Sequence, residues 1–301
     1  SALMSVDTTL AANIDATQDY IPVASTANFS TSVVAEIETT NEVVSFGTIS
    51  ENLFPYSQEF DNAYWGKARS TATADQGVAP DGTTTADLIT QTTSTASGAI
   101  FKNTYSPLTS GAVYTYSVHA KYVTGSDIKF ILMQDYNITG GGALNKTFFN
   151  IETGAIGTSD SDHTVTTTDV GNGWFRFTVT ITAATTAGNF AFYRSNADGG
   201  TTATLNDTYL MWGIQLDKAS AATTYLPTSS TALAGLTTVT RGVNGTTAAS
   251  ATSGDSIQQL PFAAQGLLSP VSTTLSANIN ATQNYVPLTS TNGFTDYLNA
   301  T

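Results

Sequence analysis

The sequence predicts an all-β protein in which a β-sandwich is inserted into a smaller β-domain. Three observations support this prediction. Only 11% of the 301 residues are charged, and strand-like runs recur between Gly, Asn and Asp breaks. A stretch near the start of the chain also returns near its end. Because chains rich in threonine and poor in lysine favour strands and turns over helices, the composition agrees with the pattern.

The returning stretch indicates a modular chain with an interruption. Residues 7–29 (DTTLAANIDATQDYIPVASTANF) and 272–294 (STTLSANINATQNYVPLTSTNGF) are identical at 14 of 23 aligned positions. Self-similarity of this kind is the signature of repeated structural units. The long stretch between the copies is not itself repeated, so we predict that it contains an inserted domain.

The charge and the absence of cysteine exclude several classes of function. A net charge of −13 with a pI near 4.2 argues against nucleic acid and anionic lipid as partners, because both require basic side chains. With no cysteine, there are no disulfides, thiolate nucleophiles or Cys-ligated zinc. No apolar run approaches the roughly 18 residues of a membrane-spanning helix, so we expect no membrane insertion.

The flanks of the chain predict one small β-module in two parts. Residues 1–49 form the first part, with strands at 9–14, 20–23 and 33–45, and residues 230–262 form the second, with a tight turn at Asn244-Gly. Neither part reaches the size that usually folds alone, so we expect them to share a core. Residues 263–301 are predicted to be a linker and the start of a repeated module.

Residues 50–229 predict a β-sandwich. Tyr114, Tyr116 and Val118 alternate with more polar neighbours, which is the period of a strand with one buried face. The run around Trp174 alternates in the same way. Turn residues separate these runs, as an all-β architecture requires.

The two flanks resemble a small β-module of tailed-bacteriophage virion proteins. The resemblance rests on residues 8–17 (TTLAANIDAT) and 241–250 (RGVNGTTAAS), whereas Ala251 stands where that module often carries His. It implies a fibre, appendage or decoration protein on the surface of the virion, with other virion subunits as partners. It also implies a homo-oligomer, perhaps a trimer.

The insert resembles a jelly-roll domain of the carbohydrate-binding-module type. Its motifs occur in the expected order at residues 52–65, 79–88, 114–122, 169–180 and 210–219. The resemblance implies binding of host-surface glycan, and it implies that Trp65, Trp174 and Trp212 are framework residues in the core. It also leaves open a structural calcium ion, for which Glu59, Asp81 and Asp217 are the candidate oxygen ligands. We expect no other cofactor.

Sugar binding needs aromatic platforms beside polar groups that satisfy hydroxyls. Outside the framework motifs, the sequence offers five candidates: Tyr136, Tyr193, Arg194, Asn196 and Asp198. The alternative for the two tyrosines is cross-strand packing.

Two further functions stay open, and both rank below attachment with glycan binding. One is a purely structural decoration protein. The other is a glycan-degrading depolymerase, which requires two carboxylates across a cleft. The carboxylates that could meet in space are Asp61, Asp81, Asp87, Asp135 and Asp217, but turn chemistry is the better explanation, since Asp61-Asn and Asp81-Gly are typical turn pairs. His119 and His163 lie on separate predicted elements without a nucleophile motif. We therefore expect no enzymatic activity, and we expect His119 to face the surface.

Overall fold

The structure is a computed structural model that describes residues 6–260 except 28, 30–32 and 95. The described residues form eighteen strands and no helix, so they include no helix that could span a membrane. The strands are β1 (Val6–Thr9), β2 (Ile21–Val23), β3 (Val33–Ile37), β4 (Glu42–Asn52), β5 (Gly66–Ala68), β6 (Ser70–Gly77), β7 (Ala86–Gln91), β8 (Ala99–Tyr105), β9 (Val113–Tyr122), β10 (Phe130–Tyr136), β11 (Leu144–Asn150), β12 (Ile156–Ser159), β13 (Thr164–Gly171), β14 (Trp174–Thr182), β15 (Gly188–Ser195), β16 (Thr208–Asp217), β17 (Leu233–Thr240) and β18 (Ser256–Gln259).

The chain forms two compact units. The first, the flank unit, combines the residues up to Ile49 with those from Leu236 onward, and the second, the insert unit, spans Ser50–Gly235. The sequence placed the corresponding boundaries at residues 49/50 and 229/230. The predicted linker and start of a repeated module at 263–301 lie outside the described residues.

The flank unit is one six-stranded sheet whose strands come from both ends of the chain. The order is β1-β18-β3-β4-β17-β2, so β18 lies between two early strands and β17 lies between two others. Ile257 of β18 is in register with Ile37 of β3. The core of this unit also draws from both parts, with Val44 on one side of the insert and Leu236 on the other. Because burial of apolar surface drives folding, neither part completes this core alone.

A buried ion pair joins the two parts of the flank unit. Arg241 Nε donates to Glu42 Oε1 at 2.7 Å and Nη2 donates to Oε2 at 2.8 Å, which is the bidentate geometry of a strong pair. The same guanidinium donates to the carbonyls of Asp15 and Ala249. The Glu42 carboxylate in turn accepts the backbone N–H groups of Gly242 and Ala249, each at 3.0 Å. Arg241 and Gly242, the first two residues of the RGVNGTT motif, therefore bind the carboxylate of Glu42. The arginine and the glutamate are 199 residues apart in the chain.

Gly242 is required at its position by both conformation and space. Its φ is +63°, and an added Cβ would lie 3.0 Å from the Thr246 carbonyl oxygen and from the Ala248 nitrogen. A side chain would push this loop away from the ion pair.

Glu42 is fully buried, yet its pKa is lowered from the ordinary glutamate value. Burial is the largest influence and raises the pKa, but the hydrogen bonds from Arg241 and from the backbone N–H groups of Ala249 and Gly242 together outweigh it. A carboxylate whose folded-state pKa is lowered stabilises the fold above its unfolded-state pKa. That stability is lost as the pH falls through the folded-state pKa.

We expect Glu42→Gln to destabilise the flank unit by about 3–5 kcal/mol, because it leaves the Arg241 charge buried and unpaired. The exposed Glu38→Gln is the matched control. Urea denaturation at neutral pH, with limited proteolysis to show which unit opens, measures the effect. Equal unfolding midpoints for the two variants would contradict this role of the pair.

The insert unit is a jelly-roll β-sandwich, as the sequence predicts. Its front sheet has the order β12-β11-β10-β15-β8-β5, and its back sheet has the order β13-β14-β9-β16-β7-β6. Side chains from both sheets meet in one apolar core, with Trp65 T-shaped against Phe54 at 5.5 Å between ring centroids. Residues near the two ends of the unit are also paired, since Tyr56 N–H donates to the Ser229 carbonyl. The start and end of the insert are therefore adjacent, as insertion into another module requires.

The back sheet is buried on both faces at its central strands β9 and β16, which differs from the predicted strand with one buried face. Its outer face holds a second apolar cluster that contains Trp174 and Trp212. Residues 219–228 cover this face, where Arg176 Nη1 donates to the Thr223 carbonyl at 2.7 Å and the Tyr225 ring packs 4.5 Å from that of Trp212. All three tryptophans are buried, which confirms their expected place in the framework.

His119 lies on this covered face, so the expectation that it faces the surface is wrong. Its ring packs on Trp212 and Tyr225 at centroid distances of 5.0 and 5.8 Å, and Nδ1 is 3.1 Å from the Gly213 carbonyl oxygen. Burial, with a smaller contribution from the Arg176 charge, lowers the pKa of His119 to about 3. The strand period placed the side chain on the correct face, but the covering segment comes from a distant part of the chain.

This pKa makes the insert unit less stable in acid. The unfolded chain protonates His119 below its ordinary pKa of 6.5, whereas the folded chain does not until about 3. Stability is therefore lost as the pH falls from 6.5 toward 3, by about 2 kcal/mol between pH 7 and pH 5. We expect His119→Phe, which keeps an aromatic ring, to remove about that much of the pH dependence in urea denaturation. An unchanged pH dependence would contradict the assignment.

Candidate functional site

The outer face of the front sheet carries a regular grid of side chains and is accessible over part of its area, because Lys146 and Leu144 are exposed whereas Leu132 and Phe148 are buried. Successive residues of a strand point to opposite faces, so alternate residues of β8, β10, β11 and β15 share this surface. The strand registers define two cross-strand rows. The first row is Ala99, Tyr193, Leu132 and Phe148, and the second is Phe101, Ala191, Gln134 and Lys146.

A third row closes the grid at the end of β10. Tyr136 lies opposite Asn189 on one side and Leu144 on the other. Asn189 Oδ1 accepts the Thr104 N–H at 2.8 Å, which fixes the orientation of its amide. Tyr136 is 44% exposed, among the highest values for large apolar side chains in the described part of the chain.

These rows form the walls and floor of what we call the front groove. Its main section has a volume of 360 Å³ and is lined by Phe101, Tyr136 and Tyr193, with Gln134, Asn103 and Asn189 as polar groups. A section of 180 Å³ shares Gln134 and Tyr193 with it, and another of 140 Å³ shares Tyr136 and Asn189. The three sections are therefore adjacent along the sheet.

Small residues set the depth of the front groove. Ala191 lies between Phe101 and Gln134 in the second row. The ring of Phe101 lies over Gly66, where an added Cβ would come within 2.3 Å of the ring. A larger residue at either position would raise the floor or displace the aromatic wall.

The aromatic side chains are spread along the groove. From strand spacing and rise, Phe101 and Tyr193 are about 8 Å apart at the backbone, and Tyr193 and Tyr136 are about 14 Å apart. Three separated apolar surfaces with amides between them suit an extended ligand that alternates apolar faces and hydrogen-bonding edges.

The structure brings two of the five sequence candidates together and separates the other three. Tyr136 and Tyr193 both line the main section of the groove. Asn196 bonds through its side chain to Thr204 at 2.8 Å, and the carboxylate of Asp198 accepts the backbone N–H of Thr158 at 2.8 Å. Neither lines any section of the front groove.

Arg194 does not line the groove, so the prediction that it forms a ligand site with Tyr193 is wrong. It is fully buried on the inner face of β15, where Nη2 donates to the carbonyls of Arg69 and Thr90 and to Ser70 Oγ. Burial lowers the pKa of its guanidinium. Because neighbouring residues of a strand point to opposite faces, Tyr193 and Arg194 cannot both face the groove.

Most residues that line the groove were not predicted from the sequence. Phe101, Gln134 and Asn189 carry no individual signal, and each reaches the surface only because a strand period places it there. The period of β10 and β15 was readable, but the order in which these strands pair was not. The cross-strand neighbours of Tyr136 and Tyr193 therefore could not be predicted.

The calcium candidates do not come together. The side chain of Asp81 accepts bonds from Thr83 at the tip of a turn, and that of Asp217 accepts bonds from Gln215 and Thr223 on the back sheet. Glu59 bonds to Asn62 in a separate loop. Among the described residues, no group of three or more His, Asp or Glu side chains could hold a metal ion.

A buried polar network supports the groove from behind. Asp135, between Gln134 and Tyr136 on β10, points inward, and its Oδ2 lies 2.6 Å from His163 Nε2. His163 Nδ1 lies 2.8 Å from Thr147 Oγ1 on the neighbouring strand. Both side chains are fully buried, so this pair restrains the strand that presents Gln134 and Tyr136 and does not itself reach the groove.

No protein-family model and no curated protein sequence matches this chain. Among solved structures, the enzymatically active domain of tailspike protein 4 of bacteriophage CBA120 matches at 12% identity with a TM-score of 0.35, covering 55% of this chain and 21% of that one. A xylanase of Clostridium thermocellum in complex with xylohexaose matches at 19% and 0.34, covering 56% and 28%. A xylan-binding domain from Paenibacillus barcinonensis matches at 14% and 0.35, covering 59% and 98%. Structural matches at these identities and TM-scores carry no functional argument for this chain.

Proposed function

We propose that the insert unit binds glycan along the front groove. The observation that carries the proposal is the groove section lined by Phe101, Tyr136 and Tyr193 as separated aromatic surfaces, with amides between them. A sugar ring offers an apolar face that packs on an aromatic ring and a hydroxyl edge that bonds to amides. The front groove supplies both on a rigid sheet.

The outer faces of the two sheets are covered to different extents, and this supports the front groove as the binding site. Residues 219–228 cover the outer face of the back sheet, and that face is occupied by Trp212, Tyr225 and His119. On the front sheet, Ala99, Leu132 and Phe148 of the first row are buried, whereas Phe101 and Gln134 are partly exposed and Tyr136 is exposed, so this part of the face is accessible. An extended ligand can therefore lie across the front sheet without displacing any part of the insert unit.

We further propose that the whole protein is a structural component at the surface of a tailed-phage particle, where the insert unit holds host glycan without cleaving it. The support is the resemblance of the flanks to a virion module, together with an ion pair that uses the arginine and glycine of that module's closing motif. A binding site of a few aromatic contacts is weak, and many copies on one particle would make it effective.

We expect Tyr136→Ala and Tyr193→Ala each to weaken glycan binding by about tenfold, which corresponds to ~1.4 kcal/mol for one lost aromatic contact. Leu205→Ala is the matched control, because Leu205 is 45% exposed and lies outside the groove. Affinity electrophoresis of the full chain through a panel of immobilised polysaccharides measures binding, and thermal unfolding verifies that each variant folds.

Two results would overturn the proposal. One is that the wild-type chain binds no polysaccharide in the panel, and the other is that the tyrosine variants bind as the control does. Reducing ends are measured in the same incubations. We expect no increase, and a steady release of reducing sugar would replace binding by depolymerase activity.

Antibodies against this chain are expected to label intact phage particles in immunogold electron microscopy, because the proposed role requires exposure at the particle surface. Labelling at the tail tip or fibres favours attachment, whereas uniform labelling of the capsid favours a decorating role. Absence of the chain from purified particles by mass spectrometry would contradict both.

A further inference from the structure

The front groove has a charge opposite to that of the chain. The protein carries 23 acidic and 10 basic residues, for a net charge of −13. Yet all three sections of the groove are lined without a single Asp or Glu side chain, and the 180 Å³ section is lined by both Arg69 and Lys146. The groove is therefore a local basic site on an acidic protein.

Most basic side chains outside the groove interact with other groups of the protein or are buried. Seven of the ten make ion pairs, stack on a tyrosine ring, donate through a terminal Nζ or Nη nitrogen to backbone or side-chain oxygens, or are buried. These are Lys67, Lys102, Lys129, Arg176, Arg194, Lys218 and Arg241. The remaining three are Arg69, Lys121 and Lys146, and among the described residues none of the three forms a salt bridge. Two of these three line the groove.

Arg69 is held in place with its charge available. Its φ is +49°, and its Nε donates to the Ser97 carbonyl at 2.9 Å, which orients the guanidinium and leaves its terminal nitrogens to bind a ligand. The carbonyl of Arg69 accepts from the buried Arg194 at 2.8 Å, which anchors the backbone at the same point. A guanidinium fixed in this way loses little entropy when it pairs with a carboxylate or a sulfate.

Lys146 is the second cation that lines the 180 Å³ section. It lies on β11, directly opposite Gln134, and it is exposed. Tyr193 and Gln134 line the same section, so an aromatic surface and an amide accompany the two cations. A ligand that fits this section needs an apolar face, hydrogen-bonding groups and negative charge.

We propose that the front groove selects an acidic polysaccharide, one that carries carboxylate or sulfate groups. The inference rests on the proposed function and names its substrate class. The net charge of the protein repels a polyanion at long range, but salt limits that repulsion to about 8 Å at physiological ionic strength. Arg69 and Lys146 are the charged side chains that line the groove, and they attract an anionic ligand. A neutral glycan can accept hydrogen bonds from these cations but gains no charge–charge attraction.

The test compares three probes on the full chain: dextran, which is neutral, polygalacturonate, which carries carboxylates, and dextran sulfate. Affinity electrophoresis measures each with wild type, Lys146→Gln, Arg69→Gln and the matched control Lys121→Gln. We expect the two groove variants to bind the acidic probe about two- to fivefold more weakly, as for one exposed charge pair, with no change at Lys121. Added salt is expected to weaken binding of the acidic probe in wild type and less so in the groove variants.

The outcomes separate this inference from the proposed function. Preference for either acidic probe with selective loss in the groove variants supports it, and the stronger of the two probes identifies the anionic group. Equal loss at Lys121, or binding of dextran alone, overturns the inference while Tyr136→Ala still tests glycan binding. No binding to these or any other polysaccharide overturns both. Thermal unfolding of Arg69→Gln and Lys146→Gln shows whether either loss reflects misfolding, and loss in either folded variant is sufficient.

Discussion

The buried ion pair between Arg241 and Glu42 is the constraint on which the flank unit depends. It joins residues separated by the whole insert, and its hydrogen bonds reach the backbone on both sides of that insert. Two charges buried together stabilise a fold only when their remaining hydrogen-bonding groups are satisfied. Here the surrounding carbonyls and N–H groups satisfy them. The sheet order, with β18 and β17 placed between early strands, brings the two halves into the register that this pair requires.

A second constraint concerns how a large domain can interrupt a small one. The insert unit pairs its own start and end, through the Leu53 N–H and the Leu216 carbonyl and through Tyr56 and Ser229. Asn52 strengthens this closure, because its side chain donates to the carbonyls of Ile214 and Leu226. A sandwich whose ends meet can be inserted between neighbouring strands of another sheet without breaking that sheet.

The front groove exists because the outer faces of the two sheets are covered to different extents. The covering segment at 219–228 buries the outer face of the back sheet, including polar residues such as Ser117 and His119. The front sheet keeps part of its outer face accessible around Gln134, Tyr136 and Tyr193, and inward-facing Asp135 and His163 pair behind this face. The accessible side chains of the second and third rows can contact a ligand. The period of the strand directs Arg194 inward, where it serves the fold.

The sequence by itself determined the all-β class and the sandwich, which follow from composition and from the two-residue period of a strand, both local properties. The resemblance of the insert to a carbohydrate-binding module implied that the tryptophans are buried, and it left Tyr136 and Tyr193 as aromatic residues outside the framework motifs. Only the tertiary structure decided which strands are neighbours, and so placed Phe101, Gln134 and Lys146 beside those tyrosines. It also decided that His119 is covered and that Arg194 faces the core. The physical reason is that a strand's period fixes which side chains share a face, whereas its neighbours and its covering depend on contacts between residues far apart in the chain.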